Sequence, residues 1–201
     1  DGSTMPMGLQ PGTIILLNGT SSSGKTSVLR AVQASFSEPY LDLGIDKFIW
    51  AMPERYLDRP LWDDVLGLAT QAGETGHRLF GAMHYAIAAA ARQGMNVVAD
   101  HVLVEPRWVA ECTALFHDLP AWLVAVRCPL SVLEARERAR KNRTLGQARA
   151  QFKLVHALAV YDLEVDTSLM SPEECAQAIK GCLESGAPPT AFRLLNAARA
   201  R

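Results

Sequence analysis

Eight residues, Gly19-Thr20-Ser21-Ser22-Ser23-Gly24-Lys25-Thr26, satisfy the pattern GxxxxGK[ST] at every specified position. That spacing is the chemistry of a phosphate-binding loop. Glycines let the backbone curl so that successive N–H groups turn inward on phosphate oxygens. The helix that follows adds its positive N-terminal end. In such a loop Lys25 reaches the β- and γ-phosphates of a nucleotide, and the Thr26 hydroxyl completes a Mg²⁺ shell. The context agrees, because an apolar run at 13–17 precedes the loop and a helical pattern follows it. A plain Gly/Ser-rich turn would not require Lys and Thr at those two places. The expected cofactors are therefore ATP and Mg²⁺.

Three further groups bear on the reaction. Asp46 closes the apolar run at 40–45, which predicts a place at the carboxyl edge of a parallel sheet, where ligands bind. A carboxylate there can take the proton of an attacking hydroxyl. It serves equally as the N-cap of the helical segment 47–52. Asp100 ends Val97-Val98-Ala99-Asp100, a Walker-B arrangement whose carboxylate holds Mg²⁺ directly or through water. His101 beside it reads better as a packed or capping residue than as a substrate contact. Arg136, Arg138, Arg140, Lys141 and Arg143 form a dense basic run, with Arg136, Arg140 and Arg143 on one helical face. This face suits a lid over a triphosphate, Arg140 and Arg143 foremost. The alternative is a solvated helix end whose dipole favours cations.

His77, His84 and His156 lack paired ligand spacing and read as core or surface residues. Trp50, Met52, Trp62, Phe80, Met83 and Tyr85 follow the second apolar run and either line an acceptor pocket or fill the core.

The elements that must position these groups alternate. Apolar runs at 13–17, 40–45, 95–99, 122–126 and 163–165 are separated by helical patterns at 24–36, 63–93, 106–118, 130–139, 146–158 and 172–183. That is the signature of βαβ units: a five-stranded parallel sheet with helices on both faces. The glycines of the 63–93 stretch predict a break near 72–76. Ser171, Pro172 and Glu174 make a capping box. The tail after Pro188-Pro189 is a short helix or a frayed end. We read residues 1–201 as one domain, with 1–10 a flexible or expression-derived start and 188–201 a C-terminal tail.

Bulk composition narrows the partners. The 201 residues are 49% hydrophobic and 20% charged, with a net charge of −1, which gives no general attraction to nucleic acid. No apolar run reaches the roughly 18–20 residues of a membrane span. The four cysteines show no CxxC spacing and suit a reducing cytosol, so the expected location is cytoplasmic and the expected partner a small hydroxylated molecule. A homo-oligomer is compatible with all of this.

Taken together, IILLNGTSSSGKTSVLR, EPYLDLGIDKFIWAMP, VVADHV, VRCPLSVLEARERARKNR and YDLEVDTS resemble the chloramphenicol phosphotransferase-like family of P-loop kinases, over residues 14–179. GxDxxIxAMP and YDxEVDT are far more particular than a phosphate loop. The resemblance implies a nucleoside-kinase-like fold with an Arg-rich lid, and transfer of the γ-phosphoryl group of ATP to a hydroxyl. It implies that Asp46 is the base, that Arg140 and Arg143 belong to the lid, and that Asp166-Thr167-Ser168 lie near the adenine. Two departures stand out. Asp100-His101 replaces two adjacent acidic residues, and residues 55–76, where the acceptor should bind, match poorly. The acceptor is therefore chloramphenicol or another antibiotic, or else a nucleotide or other small metabolite. A nucleotide-binding regulator without an acceptor is the third reading, and the chain has no NKxD-type guanine-reading motif to support it.

Overall fold

The structure is a computed structural model that describes residues 10–56, 73–139, 145–158 and 160–199. Its centre is β1 (Ile14–Asn18), five residues that are all buried. A run this uniformly apolar forms a stable strand only when both faces are covered. Both are. Ile14 and Leu16 enter one core and Ile15 and Leu17 the other, as the two-residue period of a strand requires. Each such side chain contributes about 1.5–3 kcal/mol on burial.

Around β1 the described residues build a parallel sheet with β2 (Tyr40–Asp42), β3 (Asn96–His101), β4 (Ala121–Arg127) and β5 (Leu163–Asp166), in the order β2-β3-β1-β4-β5. Asn18, at the end of β1, pairs with His101 on one side and Ala125 on the other, so the strands finish along one edge. The order reverses about β1, which opens a crevice beyond its carboxyl end.

Helices α1 (Lys25–Ser35) and α7 (Pro172–Glu184) cover one face; α2 (Ile45–Trp50), α3 (Glu74–Arg92), α4 (Pro106–Phe116) and α8 (Ala191–Arg199) cover the other. Two more, α5 (Leu130–Ala139) and α6 (Gln147–Phe152), pack together through Leu133 and Ala148. The predicted capping box is present: Glu174 N–H donates to Ser171 Oγ at 3.1 Å, and Ser171 N–H donates to Glu174 Oε2 at 2.7 Å.

The tail is a docked helix rather than a frayed end. Phe192 is buried edge-on against Phe116, with ring centroids 5.4 Å apart. Asp162 fastens its start. One carboxylate oxygen accepts from the N–H groups of Thr190 (2.6 Å) and Ala191 (3.0 Å), and the other from Leu123 N–H in β4 (2.9 Å).

Several predicted boundaries move. β2 stops at Asp42, because the Asp42 carboxylate accepts the Gly44 N–H at 3.0 Å and turns the chain. Asp46 is thus neither at a strand end nor an N-cap; it lies in the first turn of α2, capped by Gly44. β3 runs on through Asp100 to His101. The helix predicted over 146–158 ends at Phe152. α3 starts at Glu74, inside the predicted break. No helix among the described residues is long and apolar enough to cross a membrane.

Candidate active site

The loop between β1 and α1 is held open by its own backbone. Ser22 (φ 65°) and Gly24 (φ 87°) adopt left-handed conformations, which swing the chain around toward the start of α1. Its beginning admits no side chain at Gly19, since a Cβ there would lie 2.6 Å from the Val126 carbonyl oxygen. The Lys25 ammonium folds back onto the loop and donates to the carbonyl oxygens of Gly19 (2.8 Å) and Thr20 (2.6 Å). Gln151, from α6, accepts the Ser21 N–H at 2.7 Å. Thr26 is exposed in the first turn of α1.

The hydroxyls of Ser21, Ser22 and Ser23 are buried with no hydrogen-bond partner among the described residues. Leaving such a group unsatisfied costs about 1–3 kcal/mol, so three together mark a cradle shaped for an oxygen-rich ligand. With a cation beside them and a helix N-terminus below, these residues fit a polyphosphate.

Across the crevice stand three carboxylates. The half-buried Asp100 carboxyl is raised above its ordinary value, first by burial; Lys25 opposes the rise, and Asp46 and Asp42 add to it. These four residues therefore share one electrostatic neighbourhood. The backbone at Gly44 presses on it, as a Cβ would fall 2.0 Å from Asp100 Oδ1. Asp42 is also paired with Lys47 at 3.3 Å. Oxygen donors clustered beside a phosphate cradle are the donor set that suits Mg²⁺.

On the far side of the loop, Arg136 donates to Thr167 Oγ1 (3.0 Å) and to the Thr167 carbonyl (2.8 Å), and Thr167 Oγ1 donates to the Ser23 carbonyl (2.6 Å). Ser22, Gly24, Ser27, Arg136, Thr167 and Met170 border a cavity of about 340 Å³ there. Asp166 borders a different one, with Thr20, Arg127, Phe152 and His156, and spends one carboxylate oxygen on the Ser168 N–H and hydroxyl. Of Asp166, Thr167 and Ser168, the residues expected near the adenine, Thr167 borders the cavity that holds Arg136 and Asp166 the one that holds Arg127. Arg140 and Arg143 lie outside the described residues; Arg138 is exposed.

His101 is fully buried, stacked on Phe80 with centroids 5.1 Å apart, as its reading as a packed residue requires. Phe80 and Met83 are core, whereas Trp50 and Tyr85 are 65% and 61% exposed; Trp62 is not among the described residues. Sequence reasoning missed the parts Asn18, Gly44 and Gln151 play. Gly44 carried a signal in its place two residues before Asp46. Buried Asn18, which donates to the Val155 carbonyl (2.7 Å) and accepts from the Leu103 N–H (2.8 Å), carried none.

A parallel sheet in this order, with a serine-rich loop between β1 and α1, defines the P-loop kinase fold. A sugar kinase from Janibacter sp. HTCC2649 superposes with a TM-score of 0.66 over 87% of this chain and 95% of that one, at 16% identity. The Mycobacterium tuberculosis APS kinase CysC, solved with AMPPNP and APS, gives 0.60 over 87% and 98%, at 20% identity. At such identities the likeness is one of fold. Sequence goes further. The chain belongs to the chloramphenicol phosphotransferase-like family, whose model matches residues 12–184. It is also 35% identical to a protein of Mycobacterium tuberculosis (strain H37Rv) provisionally named O-phosphotransferase Rv2636, over 94% of this chain and 89% of that protein.

Proposed function

We propose that this protein transfers the γ-phosphoryl group of ATP to a hydroxyl of a small molecule, with residues 1–201 acting as one catalytic unit. The observation that carries the reading is the meeting of Asp46, Asp100 and Lys25 beside a loop lined by unpartnered serine hydroxyls. The loop amides of Gly19, Thr20, Ser21, Ser22, Ser23 and Gly24 would hold the phosphate oxygens, and Lys25 would leave its two carbonyls to neutralise the outer phosphates. Thr26 and Asp100 supply oxygen ligands for Mg²⁺. Bound ATP and Mg²⁺ provide the phosphoryl group and spread its developing charge. Asp46, in the first turn of α2, accepts the proton of the attacking hydroxyl. Arg140 and Arg143 would close over the phosphates, while Arg136 and Thr167 flank the base; Asp166 supports that loop.

The family favours an antibiotic such as chloramphenicol as the acceptor; a nucleotide or another small metabolite is the alternative. The free cysteines Cys112, Cys128, Cys175 and Cys182 suit a reducing cytoplasm. The test incubates the purified protein with γ-labelled ATP, Mg²⁺ and a panel of hydroxylated antibiotics and metabolites. Label should pass to one acceptor. Asp46→Asn should slow that transfer by about 10²–10⁴-fold while nucleotide affinity holds. Transfer at the normal rate by Asp46→Asn removes the proposed base, and ATP binding without transfer to any acceptor favours a regulator.

A further inference from the structure

Behind the crevice, on the opposite side of β3 from Asp100, three ligand-type side chains meet in the core. His84 comes from α3, His101 from β3 and Cys112 from α4, and all three are 0% exposed. One donor atom from each lies within 4.8 Å of the other two. The histidines touch through Nε2 to Nε2 at 2.7 Å. His84 Nδ1 is bonded in turn to Glu111 Oε2 at 3.0 Å. Phe80 and Trp108 close the group off, with Phe80 stacked on Trp108 at 3.9 Å between centroids.

We propose that His84, His101 and Cys112 form a buried binding site for a borderline divalent cation of the Zn²⁺ class, with Glu111 as the outer carboxylate that orients His84. Two imidazole nitrogens and one thiolate are the donor types such a cation prefers. The carboxylate behind a ligating imidazole is the usual arrangement that fixes its tautomer and raises its basicity. With the Glu111 carboxylate taking the Nδ1–H, His84 Nε2 offers a lone pair toward the centre. Charge also balances. A dication, the Cys112 thiolate and the Glu111 carboxylate sum to zero, which makes the group tolerable in a dry core.

The step is a simple exchange. Without an ion, one proton shared between the two Nε2 atoms explains their 2.7 Å contact. Tetrahedral ligation, with a water entering alongside the ion as the fourth ligand, at about 2.0–2.1 Å per nitrogen sets the two nitrogens roughly 3.3 Å apart, so the rings separate by about 0.6 Å. Ligation through Nε2 moves the His101 proton to Nδ1, a buried atom with no hydrogen-bond partner among the described residues. Cys112 loses its thiol proton to solvent, one per ion bound. The site would pin the end of β3, whose His101 carbonyl accepts the Gly19 N–H of the phosphate loop at 3.2 Å.

The experiment uses the full chain dialysed against chelator and titrated with Co²⁺ and then Zn²⁺. One equivalent of Co²⁺ should give a tetrahedral visible spectrum and a near-ultraviolet sulfur-to-cobalt charge-transfer band, which Zn²⁺ abolishes by displacement. Zn²⁺ should also raise the midpoint of thermal unfolding. Cys112→Ser should lose the charge-transfer band and weaken binding at least tenfold. Glu111→Gln, which spares the three ligands and guards against a variant that does not fold, should weaken binding by roughly 10–100-fold. Binding without a sulfur band would place the ion among the carboxylates of the crevice and overturn the site. So would the absence of stoichiometric binding, or a sulfur band that survives Cys112→Ser. None of these results would touch the phosphoryl-transfer assignment, which is read by label transfer.

Discussion

Gly44 and Asp100 are in such close contact that a methyl group on the glycine would lie 2.0 Å from the aspartate Oδ1. The residue that starts α2 is therefore also the wall that places the Asp100 carboxylate. Gly44→Ala must push the carboxylate, the α2 backbone or both. Overpacking of this kind costs about 1–3 kcal/mol. The expected result is a lower melting point together with weakened Mg²⁺ activation, read by titrating Mg²⁺ in the transfer assay. Wild-type magnesium dependence in this variant would show that the contact has no bearing on the metal.

Asp100 itself should trade stability for function. Burial holds its carboxyl above the ordinary 3.8. Below 3.8 the group is protonated in both folded and unfolded chains and costs nothing. As pH rises through the raised folded value, the native state must carry a buried anion, and stability falls. Asp100→Asn escapes that loss. Its advantage in chemical denaturation should grow from acid to neutral pH, while Mg²⁺-dependent transfer disappears. A variant less stable than the parent at neutral pH would contradict the argument.

His156 gives the opposite slope. Burial, chiefly, with help from Arg127 and Lys25, lowers its value from 6.5 to about 4, against the pull of Glu164. Its neutral form belongs to the fold, where Nδ1 is bonded to the Tyr161 hydroxyl at 2.8 Å. Stability from this residue is complete above 6.5 and drains away as pH falls toward 4. Partial exposure reduces the effect to the order of 2 kcal/mol. His156→Gln should flatten part of the acid limb of the unfolding curve, to which the buried His84 and His101, whose values are lowered in the same direction, also contribute. An unchanged acid limb would mean that His156 titrates normally.

Arg136 joins α5 to the phosphate loop through Thr167 and Ser23. Arg136→Ala removes two charge-assisted hydrogen bonds, each worth about 1.5–3 kcal/mol. Nucleotide affinity should fall at least tenfold, read by calorimetry with a non-hydrolysable ATP analogue. Unaltered affinity would place the base elsewhere.

The parts of this molecule that obey local rules were legible before any coordinates. Uniform apolarity announced β1, GKT announced the turn into α1, and Ser171 with Glu174 announced the start of α7. Boundaries failed where a side chain acted on its own backbone, as when Asp42 caught the Gly44 N–H and cut β2 short. Long-range partners left no trace at all. Gln151 supports Ser21 across 130 positions of sequence, and nothing local to either residue says so. The trio of His84, His101 and Cys112 escaped for the same reason: a metal motif within one segment has regular spacing, and three ligands from three elements have none.

Asp162 holds the lead-in to β5, the middle of β4 and the first residues of α8 with one carboxylate. During synthesis the sheet and the helices α2, α3 and α4 are all made before α8. Until residues 190–199 have emerged from the ribosome, Phe116 has a solvent-facing side and Asp162 lacks two of its donors. The nascent chain therefore carries an uncovered apolar seam over this core until α8 docks, and that seam is open to chaperones and aggregation in the meantime.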